Sequence, residues 1–376
     1  MISLHSRLLQ IPLQTSFKHA SAQRRTADSV WVEIARGPIK GIGEGCPRSY
    51  VTGETSAGAL EWIESIRVSL LEQVTGLESL RTWNADHSEE IDANPAAWCA
   101  IEIALLDLFA READQSVEAL LGLPETVGNF RYTAVVSDEG GGKLRQTLGR
   151  YLHFGFGDFK FKINGEREAD LKKFALLQTL AEKAGAKDLR LRIDGNNLWE
   201  DAESAGAYLA ALPVSLAAIE EPIRARDWAG LSQLSQTLDT PVILDESVCT
   251  VADLEHFADL PGTWIANIRV SKMGGIRRSL QVLQRAKELG FAVIVGAQVG
   301  ETSVLTRAAL LVAAQAGENL WAQEGAFGTL LMERDAAEPV LMFGPGGVLA
   351  FPLAGQDLKG MGLQAILDSP TGESGQ

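Results

Sequence analysis

Cysteine and histidine are both scarce in this chain, with 3 Cys and 5 His in 376 residues. The cysteines at positions 46, 99 and 249 lie far apart and form no CxxC pair, which argues against a disulfide framework or a zinc motif. No apolar run approaches the roughly 18 residues of a membrane span. The first residues show no basic segment followed by an apolar stretch, so we expect no secretory signal and a cytoplasmic protein.

Basic residues are also few, because 34 Lys and Arg stand against 49 Asp and Glu, a net charge of −15. This balance argues against nucleic acid or an anionic membrane surface as a partner. Acidity by itself identifies no substrate. The length exceeds the roughly 250–300 residues at which one core usually stops growing, so we expect one large domain and a smaller one.

The chain divides into two parts with different sequence patterns. Residues 1–60 alternate short β-like runs with Gly-rich turns and residues 56–123 show helical periodicity, which together predict a small α+β domain. From about residue 129, short apolar strands alternate with amphipathic helices, as expected of repeated β/α units around a parallel sheet. The strands are predicted at 132–137, 159–163, 189–194, 217–221, 241–246, 264–271, 292–296 and 320–323.

Eight such strands favour an α/β fold with a (β/α)7β TIM-like barrel over the alternative of an open, doubly wound sheet. We expect an N-terminal α+β capping domain over residues 1–125 and the barrel over residues 126–342. Residues 343–376, with a last strand at 348–351, are expected to return to the cap and complete it.

Carboxylates end three consecutive barrel strands, as Asp194, Glu220 with Glu221, and Asp245 with Glu246. The spacings of 26 and 25 residues from Asp194 to Glu220 to Asp245 are close to one β/α unit each. Successive strands would therefore aim one oxygen ligand each at one point, which suits a hard divalent ion, Mg²⁺ first and Mn²⁺ second. One such acid alone would suggest a helix cap or a solvated loop; three in register favour a metal site.

Two lysines, Lys160 and Lys162, alternate with phenylalanines on the second strand and therefore share one face. Inside a barrel two ammonium groups are costly unless anions meet them, which the carboxylates and an anionic substrate would do. A neighbouring cation also lowers the proton affinity of a lysine, as a lysine general base requires. A solvated edge strand is the alternative.

The sixth strand, predicted over 264–271, places Asn267, Arg269 and Ser271 on the inward face and points Lys272 the other way. Residues 273–276 then form a turn into a helix whose free N–H groups could hold an anion, or a simple tight turn.

With these motifs the chain resembles the enolase superfamily. Within it, the resemblance is to the mandelate racemase and muconate lactonizing enzyme group, in the subgroup that includes dipeptide epimerases, N-acylamino acid racemases and o-succinylbenzoate synthases. The segments that carry the resemblance are residues 100–107, 160–162, 194–196, 219–222, 245–247, 327–335 and 338–339. It implies Asp194, Glu220 and Asp245 as Mg²⁺ ligands, Lys162 as acid and base, and Lys160 as its electrostatic neighbour. By the same analogy the chain forms a homo-oligomer.

The resemblance also implies that cap loops near residues 15–25 and 48–53 close over the barrel and choose a small-molecule carboxylate substrate. Those loops offer His19, Arg48 and Tyr50, although each of them judged singly would be a solvated surface residue. Further candidates for binding the substrate or supporting the site are Asn196, Glu246, Asn267 and Glu324.

Arg269 departs from the subgroup, most of whose members have a lysine there as a second acid/base. Because arginine is a poor proton acceptor, we expect enolate chemistry with one base, Lys162, and a cycloisomerase or lyase outcome first. The alternative is a racemase or epimerase of an amino-acid derivative or dipeptide, with Arg269 as second base aided by Glu246. A third reading is a catalytically silent homologue that binds carboxylates.

Overall fold

The computed structural model describes residues 2–19, 22–138 and 140–366, apart from the side chains of residues 15–24. The first part is an antiparallel sheet of three strands followed by helices. Its elements are β1 (Ile2–His19), β2 (Ala22–Arg36), β3 (Ile39–Gly45), α1 (Ser56–Gln73), α2 (Leu77–Asp86), α3 (Ser88–Ala93), α4 (Pro95–Glu112) and α5 (Val117–Leu121). This is the predicted α+β cap.

The second part contains eight parallel strands in sequence order, from β5 to β12, with helices between them. Its elements are β4 (Gly128–Arg131), β5 (Ala134–Val136), α6 (Gly141–Phe154), β6 (Asp158–Lys162), α7 (Arg167–Ala184), β7 (Arg190–Asp194), α8 (Ala202–Ala210), β8 (Ala218–Glu220), α9 (Trp228–Leu238), β9 (Val242–Leu244), α10 (Val251–Glu255), β10 (Trp264–Arg269), α11 (Val270–Met273), α12 (Ile276–Glu288), β11 (Ala292–Gly296), α13 (Ser303–Ala316) and β12 (Leu320–Gln323). The predicted (β/α)7β class is confirmed.

Local sequence signals delimit the barrel helices. Asp201 and Asp227 accept hydrogen bonds from Ser204 N and Gly230 N, and so cap α8 and α9. Gly155 and Gly185 end α6 and α7 in the left-handed region, at φ of 82° and 66°, which glycine adopts without steric cost. These residues therefore set where a helix begins or ends, so that the chain can return to the sheet as the next strand.

The first and last barrel strands meet. Thr133, just before β5, donates its amide hydrogen bond to the Gln323 carbonyl at the end of β12, at 2.8 Å. Lys160 on β6 also reaches Glu324 after β12. The eight strand ends therefore face one common mouth, and the carboxylates and lysines meet there.

The C-terminal segment contacts both parts of the molecule. It contains β13 (Ala337–Glu338), β14 (Val348–Phe351) and β15 (Gln364–Ala365), with short 3-10 helices at 328–330 and 345–347, whereas a further 3-10 helix at 317–319 lies in the barrel between α13 and β12. The predicted last strand is present as β14, but it pairs with β4 at the start of the barrel. Contact with the cap follows later, where Met361 N donates to the Asp107 carboxylate of α4. The domain limits stay a prediction.

The sixth barrel strand is shorter than predicted. β10 ends at Arg269, and the one-turn helix α11 begins at Val270. The side-chain alternation of a strand therefore does not extend to Ser271 and Lys272, and the prediction for both was wrong. Within the described residues, no helix is both long and apolar enough to cross a membrane.

Glycines let β3 lie directly on the buried helix α4. A Cβ atom added to Gly43 would stand 2.0 Å from the Ala100 carbonyl oxygen. We therefore expect Gly43→Ala to lower the free energy of unfolding by about 3 kcal/mol, the upper range for overpacking. Denaturant titration measures it. Gly149→Ala on α6, where a Cβ meets nothing within 4 Å, is the control and should be neutral or stabilising. Equal stabilities for the two variants would contradict this packing.

Candidate active site

The three predicted metal ligands lie together at the carboxyl ends of β7, β8 and β9. Asp194, Glu220 and Asp245 are each 1% exposed. Asp194 pairs in register with Glu220 across β7 and β8, so their side chains share one level of the barrel. Buried carboxylates are stable only when cations or hydrogen-bond donors meet them. Lysine and arginine side chains of neighbouring strands supply those partners.

Lys160 holds the carboxylates from the β6 side. Its Nζ donates to Glu220 at 2.9 and 3.2 Å and to Glu324 Oε2 at 2.7 Å, and it lies 3.9 Å from Asp194. Burial alone would lower the pKa of Lys160, but these carboxylates outweigh it and raise the pKa above its ordinary value. Lys160 is therefore a permanent positive charge and unsuited to accept a proton.

Lys162, two residues further along β6, has a different environment. Its Nζ donates to Asn196 Oδ1 at 2.9 Å and lies 3.6 Å from Asp194 Oδ2. Burial lowers the pKa of Lys162, and the positive charges of Lys160 and Arg269 act in the same direction against the attraction of Asp194. A lowered pKa increases the fraction of neutral amine near neutral pH, as a general base requires. The two lysines thus differ in the way their predicted roles require.

Arg269 approaches from the opposite side of the mouth. β6 and β10 are four strands apart in a barrel of eight, so their side chains face each other across the axis. The Arg269 guanidinium contacts Asp245 Oδ2, lies 3.7 Å from Glu220 Oε1 and donates to Gln298 Oε1 at 3.2 Å. The site therefore carries a cation on each side of its carboxylates.

Lys272 points into the same cluster, contrary to the prediction. The chain turns into helix α11 at Val270, so helical geometry sets the direction of Lys272. A residue three positions after Arg269 in a helix lies on the same side as Arg269, whereas in a strand it would point the other way. Its Nζ donates to Asp245 Oδ1 at 2.9 Å and to the Asn267 carbonyl at 2.8 Å. Ser271, predicted to face inward, instead accepts a hydrogen bond from Cys46 N of the cap. Lys272 therefore fixes Asp245, and Ser271 anchors the cap.

The carboxylates fit a hard divalent ion by donor chemistry. Three buried acids on adjacent strands supply oxygen ligands, and the neighbouring Glu246 Oε2 is a buried acceptor with no hydrogen-bond partner in the described part of the structure. Among the described residues, no group of three acidic, histidine or cysteine side chains is already arranged to hold a metal ion. Instead, Arg269 contacts Asp245 and lies near Glu220. A divalent ion on all three acids therefore requires this guanidinium to move away.

Glu221 is a structural neighbour of the ligands. Its carboxylate accepts hydrogen bonds from Asp245 N and Ser247 N, both at 2.7 Å, and from Ser247 Oγ at 2.9 Å. These bonds fix the turn after β9. Glu246 has a different environment. Burial, with repulsion from Glu221 and Asp194, raises its pKa to about 8. Glu246 faces the cavity, whereas Glu221 does not line it.

A cavity of about 210 Å³ opens on these groups. Its lining brings together most of the residues predicted for the site, namely Tyr50, Lys160, Lys162, Asp194, Asn196, Glu246, Arg269 and Glu324. Glu220, Asp245 and Asn267 lie beneath the surface of the cavity, where Asn267 Nδ2 donates to Glu220 Oε1 at 3.2 Å. The predicted groups therefore form one continuous site.

The cap loops contribute less uniformly. Tyr50 lines the cavity, as predicted. Arg48 is not a solvated residue, because it is fully buried and donates to the Asp28, Pro47 and Val299 carbonyls. It therefore attaches the cap loop to the barrel. The side chain of His19 lies outside the described part of the structure, so its predicted role stays a prediction.

The anion site suggested at the start of α12 is occupied by the protein itself. Glu102 of α4 is fully buried, and its Oε2 accepts a hydrogen bond from Arg277 N at 3.2 Å. Gly275 permits this approach, since a Cβ there would lie 2.1 Å from Glu102 Oε2. The helix start therefore joins cap to barrel.

Sequence reasoning missed Gln298 and Glu301, which line the cavity after β11. Burial, with a smaller contribution from Glu44, raises the pKa of Glu301 to about 8. The sequence could have indicated both residues, because polar residues directly after an apolar barrel strand lie at the functional face of the barrel. Arg192 inside the barrel was also missed. It pairs with Glu324 Oε1 at 2.9 Å, so Glu324 is held by both Arg192 and Lys160.

Two family descriptions match the chain. Residues 2–122 match the N-terminal domain of mandelate racemase and muconate lactonizing enzyme. Residues 143–364 match the family described as enolase C-terminal domain-like. Together these matches cover the cap and nearly all of the barrel.

Similar curated proteins are epimerases and racemases. A hydrophobic dipeptide epimerase from Enterococcus faecalis is 29% identical over 319 residues, 83% of this chain and 86% of that protein. An L-Ala-D/L-Glu epimerase from Bacillus subtilis is 27% identical, over 84% of this chain and 85% of that protein.

Solved structures agree in fold. The N-succinyl Arg/Lys racemase from Bacillus cereus superposes with a TM-score of 0.81 at 21% identity, covering 96% of this chain and 94% of that one. The Enterococcus faecalis dipeptide epimerase complexed with Mg and the dipeptide L-Leu-L-Tyr gives 0.77 at 25% identity, with 96% and 98% covered.

Proposed function

Because this chain belongs to the enolase superfamily, in its mandelate racemase and muconate lactonizing enzyme branch, we propose that it racemises or epimerises an N-acylated amino acid or dipeptide. The observation that carries the proposal is the placement of Lys162 and Arg269 on opposite sides of one cavity, with the carboxylates between them. A carbon held between these side chains can lose a proton to one face and regain one on the other.

The similar proteins favour this reading over the cycloisomerase or lyase that the sequence put first. They are epimerases and racemases, which move a proton at one carbon and break no other bond. The partner is accordingly a small molecule with a carboxylate next to the reacting carbon.

Asp194, Glu220 and Asp245 would hold Mg²⁺, with Mn²⁺ as the second candidate. A divalent ion held there would supply Lewis-acid stabilisation of the negative charge that develops on the substrate carboxylate when the α-proton leaves. The relative that was crystallised with Mg and a dipeptide supports this assignment. Asn267 orients Glu220, and Glu221 and Lys272 orient Asp245, through the hydrogen bonds described above.

Lys162 acts as the general base on one face of the substrate. Asn196 holds its amine, and burial keeps its proton affinity low. After proton transfer, the enolate is a concentrated negative charge in a site lined with cations. Lys160, which stays protonated, stabilises that charge.

Arg269 faces the opposite side of the reacting carbon and returns or removes the proton there. Protonated guanidinium is available to give a proton to the enolate, but the neutral guanidine needed to remove a proton is scarcely populated near neutral pH, so proton removal by Arg269 is slow. Exchange through Lys162 should then be faster than inversion. The alternative in which Lys162 is the only base predicts exchange of the α-proton with no inversion of configuration.

The test is proton NMR of the magnesium-loaded protein in D₂O with a panel of N-acylamino acids, dipeptides, other carboxylic acids and lactones. We expect loss of the α-proton signal from one compound class, accompanied by appearance of the opposite configuration. Exchange with complete retention would overturn racemisation in favour of the single-base reading. No exchange with compounds shown to bind would leave a silent carboxylate-binding protein.

Metal removal should abolish the reaction. A chelator that strips the ion should lower α-proton exchange by about 10³-fold, which corresponds to the several kcal/mol a metal contributes to charge stabilisation. Mg²⁺ should restore the rate in the native protein but not in Glu220→Gln. The matched control is Glu72→Gln on α1, exposed and remote from the site. Full activity of the chelated protein would contradict the metal assignment.

A further inference from the structure

The cavity continues beyond the reacting groups toward α6. There it is lined by Thr147, Arg150 and Tyr151 from that helix. Their spacing of three and four residues places them on one helical face. Phe327, Leu330 and Leu331, from the segment after β12, also line the cavity. A substrate whose α-carbon lies between Lys162 and Arg269 therefore extends its distal group into this part.

Phe327, Leu330 and Leu331 make one wall of this distal part apolar, and Glu324 and Glu301, which line the same cavity, already accept hydrogen bonds. Glu324 is paired with Lys160 at 2.7 Å and with Arg192 at 2.9 Å. Glu301 Oε1 accepts a hydrogen bond from Gln298 N at 2.6 Å. The described residues that line the distal part, namely Thr147, Arg150, Tyr151, Phe327, Leu330 and Leu331, include no acid, so this part presents no carboxylate of its own to an ammonium group. A substrate with a free, positively charged amine at this end would leave that charge poorly compensated.

Arg150 has the opposite property. It is exposed at the rim of the cavity, and in the described ranges of the chain no hydrogen bond or ion pair engages its guanidinium. An arginine fork matches a carboxylate in geometry and charge. The apolar wall before it suits methylene groups. The combination is that of a subsite for a short acyl chain that ends in an anion.

We propose that Arg150 is a specificity-determining residue that selects substrates whose N-acyl group carries a terminal carboxylate, such as N-succinyl amino acids, over dipeptides with a free ammonium. The inference rests on the proposed function and deepens it. The structure of the N-succinyl Arg/Lys racemase supports only the likeness in fold, so the assignment depends on the residues of this cavity.

Three acyl groups of matched length test the subsite, namely N-succinyl, N-butanoyl and N-(β-alanyl), which end in a carboxylate, a methyl and an ammonium group. They are attached to the amino acid that exchanges fastest in the panel, and the magnesium-loaded protein is used. We expect kcat/KM for the succinyl compound to exceed the other two by about 10-fold or more, the range of a charge-assisted hydrogen bond.

Arg150→Glu should reverse this order and favour the β-alanyl compound. A folding defect would lower all three values together and could not reverse the order. Arg145→Glu is the matched control, because Arg145 is exposed on the same helix but does not line the cavity. Equal values for the three compounds, or the same change in Arg145→Glu, would overturn the assignment.

Calorimetric binding of the same three compounds is measured in parallel and separates the two proposals. Absence of α-proton exchange with preferential binding of the succinyl compound would refute the proposed function and leave the subsite. Exchange without any preference in rate or affinity would refute the subsite and leave the function.

Discussion

Lys162→Ala should abolish α-proton exchange while leaving the metal site intact. Loss of a positioned general base typically costs 10²–10⁴ in rate, and we expect a fall of about 10³-fold or more. The other lysine of the same strand cannot replace it, because Lys160 is committed to Glu220 and Glu324 and its pKa is raised. The measurement is the rate at which the α-proton NMR signal disappears in D₂O.

Lys172→Ala provides the matched control for this loss. Lys172 lies on α7, is 73% exposed and pairs only with Glu168 in the described structure, so its removal should leave the exchange rate unchanged. Calorimetric Mg²⁺ affinity of Lys162→Ala should stay within a few-fold of the native value, which excludes a collapsed site. Exchange in Lys162→Ala at more than a tenth of the native rate would refute its role as the base.

Arg269→Lys should have the second largest effect, and it is a gain. A lysine amine can both accept and return a proton, whereas guanidinium is protonated under nearly all conditions. We expect the rate of inversion to rise by about 10–10²-fold, within the range of general acid–base catalysis. Chiral chromatography of the product over time measures the inversion.

The shorter, more compact ammonium also gives up the contact of Arg269 with both Asp245 and Gln298, which limits the gain. Arg285→Lys is the control for this exchange of side chains, since Arg285 pairs with Glu255 and Glu288 on the surface of α12. Inversion that disappears in Arg269→Lys while Lys162-dependent exchange persists would show that the second proton transfer requires guanidinium itself.

The barrel and its metal ligands could be predicted because each signal was local. Strands of apolar residues repeated at nearly constant intervals, and Asp194, Glu220 and Asp245 fell at their carboxyl ends. The alternation of Lys160 and Lys162 with two phenylalanines likewise fixed the direction of both amines, because side chains alternate strictly along a strand. These inferences required no knowledge of how distant segments pack.

The remaining features depend on where a strand stops or on contacts across the chain. Lys272 was assigned to the wrong face because β10 ends two residues earlier than its apolar pattern suggested. Arg48 resembled a surface residue, since its three carbonyl partners come from separate segments. The capping of α12 by Glu102 joins residues 175 apart in sequence. Such pairings follow from packing and leave no periodic signal.

The most direct test of the two-sided site compares deuterium incorporation with inversion for each enantiomer of the best substrate in the native enzyme. Two faces served by unequal groups predict that one enantiomer exchanges faster than it inverts, whereas the other exchanges only as fast as it inverts. The fast exchange should depend on Lys162 and the slow transfer on Arg269. Equal exchange and inversion rates for both enantiomers would contradict the assignment of a lysine and an arginine to opposite faces.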